Sequence, residues 1–294
     1  MKKLLILSGK GGTGKTTLSS SFIRLSQSKA YADCDVDAPN LHLMVDKPSL
    51  TKRESFYGLP KAHIDKDMCI DCGLCFENCR FNAIDTAKGY NVDFYSCEGC
   101  GVCEYVCPVG AVTMGKAVAG NLLLYRDDKV FSTAKLSMGF GNSGMLVSEV
   151  KKQLDEEAVD AEFAIIDGSP GIGCPVIASI SGVDMVLVVT EPSLSGISDM
   201  TRVIDTANGF MVNCAVCINK YDVNLENTEK IEIICAEKNI PMTGKIPFDT
   251  MVVGAVNKGI PITDIACPAG KAIRKVYQTT MKIFKINNQE NQNE

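Results

Sequence analysis

Two cysteine runs of identical spacing dominate this sequence: Cys69, Cys72, Cys75, Cys79, and then Cys97, Cys100, Cys103, Cys107-Pro108. Each reads C-x2-C-x2-C-x3-C. Such short spacing wraps three thiolates round one face of a small inorganic core and leaves little chain for a hydrophobic interior. The stretch 57–118 must then draw much of its stability from what the thiolates bind. Gly58-Leu59-Pro60 before it and Gly110 to Gly120 after it are rich in turn formers, as the ends of an inserted module should be. The opening MKKLLILSGK is too short for a secretory signal, so the fourteen cysteines are expected to stay reduced in a cytoplasmic protein and to ligate metal. Zinc would use four ligands per ion, commonly as separated CxxC pairs, and leaves the duplication unexplained.

The spacing resembles that of the bacterial two-cluster ferredoxins, in which the fourth cysteine of each run ligates the other cluster. Carried over, Cys69, Cys72, Cys75 and Cys107 hold the first [4Fe–4S] cluster, and Cys79, Cys97, Cys100 and Cys103 hold the second. The first run ends in Cys79-Arg80 rather than Cys-Pro, a departure that removes no ligand.

Elsewhere the chain reads as an ordinary folded protein. Hydrophobic residues make up 46% and charged residues 22% of its 294 residues, enough for one large domain or two ordinary ones. A net charge of −5 argues against wholesale nucleic-acid binding, and no apolar run approaches the roughly 20 residues of a membrane span.

The amino terminus supplies a second motif. An apolar strand, Lys3 to Ser8, feeds Gly9-Lys10-Gly11-Gly12-Thr13-Gly14-Lys15-Thr16-Thr17 and then a helical stretch to about Gln27. This is G-x4-G-K-[ST] in the strand–loop–helix context that a phosphate loop requires. Glycines turn backbone N–H groups onto phosphates, and the helix N-terminus adds its positive end. Lys15 should reach the β- and γ-phosphates of ATP or ADP, Thr16 should coordinate Mg²⁺, and Thr17 should donate to the α-phosphate.

The extra lysine in K-G-G-x-G-K-T-T makes this the deviant form of the loop, and here the sequence resembles the MinD/ParA ATPases, a family that includes the nitrogenase iron protein. The resemblance implies a doubly wound, mostly parallel α/β P-loop fold over 1–56 and 119–286, interrupted at 57–118 by a small α+β ferredoxin-like insertion. It implies that Lys10 crosses a homodimer interface to the partner's nucleotide. In Tyr31-Ala32-Asp33-Cys34-Asp35, it makes Asp35 the group that orients the attacking water and Asp33 a support for Mg²⁺ or the first switch; an acidic turn is the plain alternative. In Phe163 to Gly171 it makes Asp167 a Mg²⁺ ligand and puts the Gly168 N–H where it would sense the γ-phosphate. Asn219 would read adenine, unless it is a simple turn residue, and Pro247-Phe248 would close over the base.

Other features read more plainly. Cys214 and Cys217 lie in an apolar strand at an odd spacing, on opposite faces, and Cys34, Cys235 and Cys267 read as core. Cys174 is either a packing residue of the second switch or, by the same resemblance, a ligand of an intersubunit cluster. The stretch Ala269 to Ile286 reads as a helix closing the sheet rather than a membrane tail, and 287–294 as disordered. Together the parts imply an ATP-driven homodimer that passes electrons through two [4Fe–4S] clusters to a redox protein. The alternative is a factor that delivers clusters or metallocofactors to an apo-protein. A partitioning ATPase with structural clusters is a third reading, and the acidic balance weighs against it.

Overall fold

The computed structural model describes residues 1–290 apart from Lys88, with backbone alone for 287–290. The chain opens with β1 (Lys2–Leu7), α1 (Lys15–Ser26), β2 (Ala30–Asp33) and β3 (Leu50–Tyr57). A run of short elements follows: β4 (Lys61–Ile64), α2 (Leu74–Glu77), β5 (Ile84–Asp85), β6 (Asn91–Val92), α3 (Val102–Tyr105) and β7 (Val112–Gly115). Longer ones return with β8 (Val118–Arg126), β9 (Val130–Leu136), α4 (Ser143–Glu157), β10 (Phe163–Asp167) and α5 (Cys174–Ile180). The remainder is β11 (Met185–Thr190), α6 (Leu194–Gly209), β12 (Asn213–Asn219), α7 (Leu225–Glu237), β13 (Met242–Ile246), α8 (Met251–Asn257) and α9 (Pro268–Glu290). Among the described residues no helix is long and apolar enough to cross a membrane.

One sheet runs β13-β12-β11-β1-β10-β2-β9-β8-β3, and every pairing from β13 to β9 is parallel. Continuous apolar runs belong in such strands because helices cover both faces. Leu4 to Leu7, Ala164 to Ile166 and Met185 to Val189 are accordingly all buried. The closing helix α9 sets Ala269, Ile273, Val276 and Phe284 into this core, and its Tyr277 meets Phe22 of α1 edge-on at 5.1 Å. Ile273, Val276 and Phe284 each contribute about 1.5–3 kcal/mol by leaving water. The helix continues past Ile286 to Glu290, so the tail expected to be disordered from 287 begins as helix; residues 291–294 lie outside the described residues.

The chain divides into two compact units. The larger takes Met1–Arg53, Leu122–Lys135 and the chain from Gly144 on; the smaller takes Glu54–Asn121 and Leu136–Ser143. Within the smaller unit the duplication extends well beyond the cysteines. Gly73 and Gly101, at φ 78° and 76°, open α2 and α3; Asn82 and Gly110, at φ 51° and 67°, follow the fourth cysteines. The Cys69 N–H donates to the Asp65 carbonyl and the Cys97 N–H to the Asp93 carbonyl, both at 3.0 Å. Antiparallel pairs Ile64↔Val112 and Ile84↔Val92 join the halves. Its core is small, built on Ala62, Ile64, Ala83, Ile84 and Val112 around Cys75 and Cys97.

Candidate functional site

Every strand that feeds the candidate site does so from its C-terminal end, where ligands bind in doubly wound sheets. After β1 the chain turns through Gly12 and Gly14, at φ 79° and 92°, into α1. Gly11 to Thr17 line a cavity of about 650 Å³ together with Ser8, Asp35, Asp37, Ser169 and Pro170. That volume is of the right order for a nucleotide. Buried Thr13 Oγ1 on its wall has no hydrogen-bond partner among the described residues, a donor that a phosphate oxygen would satisfy.

Asp167, at the end of β10, is fully buried and collects three donors: Lys15 Nζ at 2.8 Å and Ser19 Oγ at 2.7 Å on Oδ1, and Thr16 Oγ1 at 2.8 Å on Oδ2. Burial works against the Lys15 ammonium, but the carboxylates of Asp167 foremost, then Asp33 and Asp35, together outweigh it and raise the Lys15 pKa above its ordinary value. Lys15, Thr16 and Asp167 thus meet at one point, beside the loop whose amides would hold the phosphates. Ser19 went unnoticed in the sequence. It lies one turn beyond Lys15 on the same helical face, the signal that would have found it.

Asp33 and Asp35 differ in what they face. Asp33, buried at the end of β2, accepts the N–H groups of Asp35 at 3.0 Å, Asn40 at 3.0 Å and Leu41 at 2.9 Å, which fastens the 34–41 loop to the sheet. Burial, reinforced by the nearby Asp167 charge, pushes its pKa up to about 7. Asp35 lines the cavity with its pKa also raised, chiefly by burial. Ser169 Oγ donates to the Cys34 carbonyl at 2.5 Å and ties the 168–171 loop to the same segment. Gly168 is a correction: its N–H donates to the Ile6 carbonyl at 2.9 Å, because β10 runs one residue further beside β1 than the motif implies. It is spent in the sheet and does not face a phosphate.

Lys10 points away from the cavity. Its Nζ stands 2.5 Å from Glu191 Oε1, 3.2 Å from Ser193 Oγ and 3.1 Å from Ser195 Oγ, at the end of β11 and the start of α6. Lys220 Nζ approaches the other Glu191 oxygen at 3.4 Å, so one carboxylate bridges two lysines. Asn219 Nδ2 donates to the Thr13 carbonyl at 2.6 Å and braces the phosphate loop from behind. The Phe248 ring is exposed, and its N–H donates to Asp222 Oδ1 at 2.7 Å; neither it, Pro247 nor Asn219 lines the 650 Å³ cavity.

In the smaller unit the eight cysteines surround two cavities. Cys79, Cys97, Cys100 and Cys103 line one, with Gly99, Gly101, Ile84 and Met114 among its walls. Cys69, Cys72, Cys75 and Cys107 line the other, with Gly73, Tyr90 and Val112. Each cavity takes three cysteines from one run and the fourth from the other. The two fourth cysteines receive matching amide bonds, Ala83 N–H to Cys79 Sγ at 3.4 Å and Ala111 N–H to Cys107 Sγ at 3.2 Å. Four thiolates spread round an apolar cavity, with amides aimed at sulfur, form a donor set that fits a [4Fe–4S] core, one thiolate to each iron. Among the described residues no three His, Cys, Asp or Glu side chains form a site for a single metal ion. Cys174 is exposed in the first turn of α5, whereas Cys34, Cys214, Cys217, Cys235 and Cys267 are buried.

Comparison with known proteins agrees with the fold. The model of the CobQ/CobB/MinD/ParA nucleotide-binding domain matches residues 4–262. An uncharacterized protein of Methanocaldococcus jannaschii is 33% identical over 94% of this chain and 95% of its own. The iron-sulfur cluster carrier protein of Pyrococcus furiosus is 23% identical over 96% of this chain and 86% of its own. Among solved structures, the septum site-determining protein MinD of Pyrococcus horikoshii, complexed with Mg-ADP, superimposes with a TM-score of 0.55 at 18% identity, covering 97% of this chain and 98% of that one. A parallel sheet with its phosphate loop after β1 and a buried aspartate at the end of β10, matched along most of its length by the family model, makes the chain a member of the CobQ/CobB/MinD/ParA nucleotide-binding family.

Proposed function

We propose that this chain is a Mg²⁺-dependent ATPase that closes as a homodimer around ATP and gates electron transfer through two [4Fe–4S] clusters to a redox partner. The observation that carries the reading is the pairing, within one chain, of Lys15, Thr16 and Ser19 gathered on Asp167 with two cavities of four cysteines each. In this reading Lys15 exchanges Asp167 for the β- and γ-phosphates, and Thr16 and Asp167 turn to hold Mg²⁺. Asp35 orients the attacking water, and Asp33 fixes the loop that carries it. Lys10 leaves Glu191 and reaches the partner's nucleotide. Asn219, Pro247 and Phe248 enclose the adenine once the loops close.

The larger assembly is a P-loop domain of 1–56 and 119–286 with a ferredoxin-like insertion at 57–118. The clusters, once bound, supply one-electron storage. The insertion follows the first switch, the segment that differs between nucleotide states in proteins of this kind. The chain's own part is to reposition the smaller unit on closure and release the partner on hydrolysis.

The test is light scattering of the anaerobically prepared protein with Mg-ADP and with a non-hydrolysable Mg-ATP analogue. Dimer is expected only with the analogue. Lys10→Ala should abolish the dimer and lower hydrolysis by about two orders of magnitude or more, while leaving Mg-ADP binding unchanged. A protein that stays monomeric with both nucleotides, or hydrolyses equally well without Lys10, would overturn the reading.

A second reading, ATP-timed delivery of clusters to an apo-protein client, is favoured by the likeness to the iron-sulfur cluster carrier of Pyrococcus furiosus along nearly the whole chain. Clusters that a chelator strips within minutes and that pass to an apo-ferredoxin would select it. Clusters that survive the chelator and cycle reversibly would select electron transfer.

A further inference from the structure

The halves of the smaller unit repeat the cysteine spacing but differ in charge at several paired positions, and two of these exceptions hold their charge against a cysteine of the runs. Lys61 opens β4, and the residue matching it in the second half is Gly89. Asp71 follows Ile70 in the first cysteine loop, and its counterpart is Gly99; both positions adopt the left-handed backbone, at φ 53° and 69°. The two exceptions have opposite signs and sit at different cavities.

Lys61 is only 8% exposed, and its Nζ donates to the carbonyl of Cys97. The rings of Phe140 and Phe94 stand 5.0 and 5.6 Å from the ammonium and keep water from it. A full positive charge is therefore held in a poorly screened place behind one ligand of the Cys79, Cys97, Cys100, Cys103 cavity. The carboxylates that face this region are exposed. Asp93 is engaged with Ser96 Oγ at 2.7 Å and the Tyr95 N–H at 3.0 Å, Glu98 lies at the cavity's rim, and Glu104, next to Cys103, accepts the Met114 N–H at 3.2 Å. All three are more strongly screened by water and salt than Lys61 is.

At the other cavity the fixed charge is negative: Asp71 Oδ1 lies 3.7 Å from Cys69 Sγ. A sulfur bound to iron carries no proton to share with that carboxylate, so the contact becomes a repulsion that grows when an electron is added. Lys66 is a cation on this side. It is exposed and donates to the Tyr90 carbonyl. Backbone dipoles oppose the asymmetry. Burial raises the Cys107 thiol, but the N–H groups of Val109, Val112, Ala111 and Gly110 outweigh it and hold the thiol below its ordinary pKa. Dipoles weaken faster with distance than a charge does, and a buried charge acts on the whole cluster.

We infer that the cluster held by Cys79, Cys97, Cys100 and Cys103 has the higher reduction potential, and that buried Lys61 is the residue that sets it. Net charge near a cluster is one of the levers by which a protein tunes it. An electron entering the unit then settles on that cluster, and the one beside Asp71 is the stronger reductant. The inference rests on the two-cluster reading above.

The test is an anaerobic redox titration of the full chain followed by EPR, after iron and acid-labile sulfide have been counted. Fewer than two clusters per chain would refute the proposed function itself. With two clusters present, two resolved one-electron steps are expected, and coincident steps overturn the inference. Lys61→Met should lower the upper step alone, shifting the partition of the electron between clusters at least tenfold, or ~59 mV for a one-electron couple. Lys61→Arg, which keeps the charge, should restore it. Asp71→Asn, a surface change that leaves folding intact, should raise the lower step alone and carries the test should Lys61→Met lose its clusters. Movement of the lower step by Lys61→Met, or of neither step by either variant, overturns the assignment.

Discussion

Gly14 is a position where both backbone and packing restrict the phosphate loop, and Gly14→Ala puts a number on that. The residue stands at φ 92°, and a Cβ built there would lie 2.4 Å from Asn219 Nδ2. Two costs follow. The left-handed backbone costs an alanine about 1–2 kcal/mol. Moving the Asn219 amide aside also breaks its 2.6 Å bond to the Thr13 carbonyl, a loss of about 0.5–1.5 kcal/mol. Together these come to roughly 1.5–3.5 kcal/mol, a ~10- to 300-fold loss of Mg-ADP affinity if the nucleotide needs the loop as it stands. Titration calorimetry reads the affinity, and urea unfolding shows how much of the cost falls on the fold. A second background isolates the clash. In Asn219→Gly the amide is already absent, so Gly14→Ala should cost only its backbone part, leaving a coupling of about 0.5–1.5 kcal/mol between the two sites. Equal costs in both backgrounds, or a total below about 0.5 kcal/mol, would refute the argument that Asn219 braces the loop against Gly14.

Two further outcomes are expected elsewhere in the chain. Cys107→Ser should remove the cluster of the Cys69, Cys72, Cys75 cavity and about half the iron, and the surviving EPR step should be the one that Lys61→Met shifts; loss of that step instead would mean uncrossed ligation. Lys151 caps α5 through the carbonyls of Ala178 at 2.9 Å, Ser179 at 2.8 Å and Ser181, and burial pulls its pKa down to about 8. Between pH ~8 and ~10.4 the unfolded chain then holds a proton that the folded chain has released. Stability relative to Lys151→Arg, whose charge does not titrate there, should rise across that window by at most ~3 kcal/mol; parallel urea curves would contradict it.

How much the sequence disclosed follows the range of the interactions. The phosphate loop and the cysteine runs are legible because both rest on residues within a few positions of one another, and Gly12 and Gly14 take the positive φ that such a loop demands. The parallel sheet is legible from Leu4 to Leu7 and Met185 to Val189, apolar runs too short for anything but buried strands. What stayed hidden depends on distant partners. Ser19 matters only because β10 brings Asp167 beside it. The Gly168 N–H is spent because β1 lies alongside, and Lys10 is held by Glu191 from a strand far along the sequence. Leu136–Ser143 contains no cysteine, yet it belongs to the compact unit that does, where Phe140 packs edge-on against Phe94 at 5.7 Å. No local pattern marks such a segment.

In the proposed function, nucleotide state and cluster state communicate. The most direct measurement is the EPR-monitored redox titration of the anaerobically purified protein with Mg-ADP and then with a non-hydrolysable Mg-ATP analogue, in the wild type and in Lys10→Ala. The analogue is expected to shift the potential or the spectrum of at least one cluster in the wild type, and the shift is expected to vanish in Lys10→Ala together with the dimer. Two stable clusters with identical potentials and spectra under both nucleotides would contradict it.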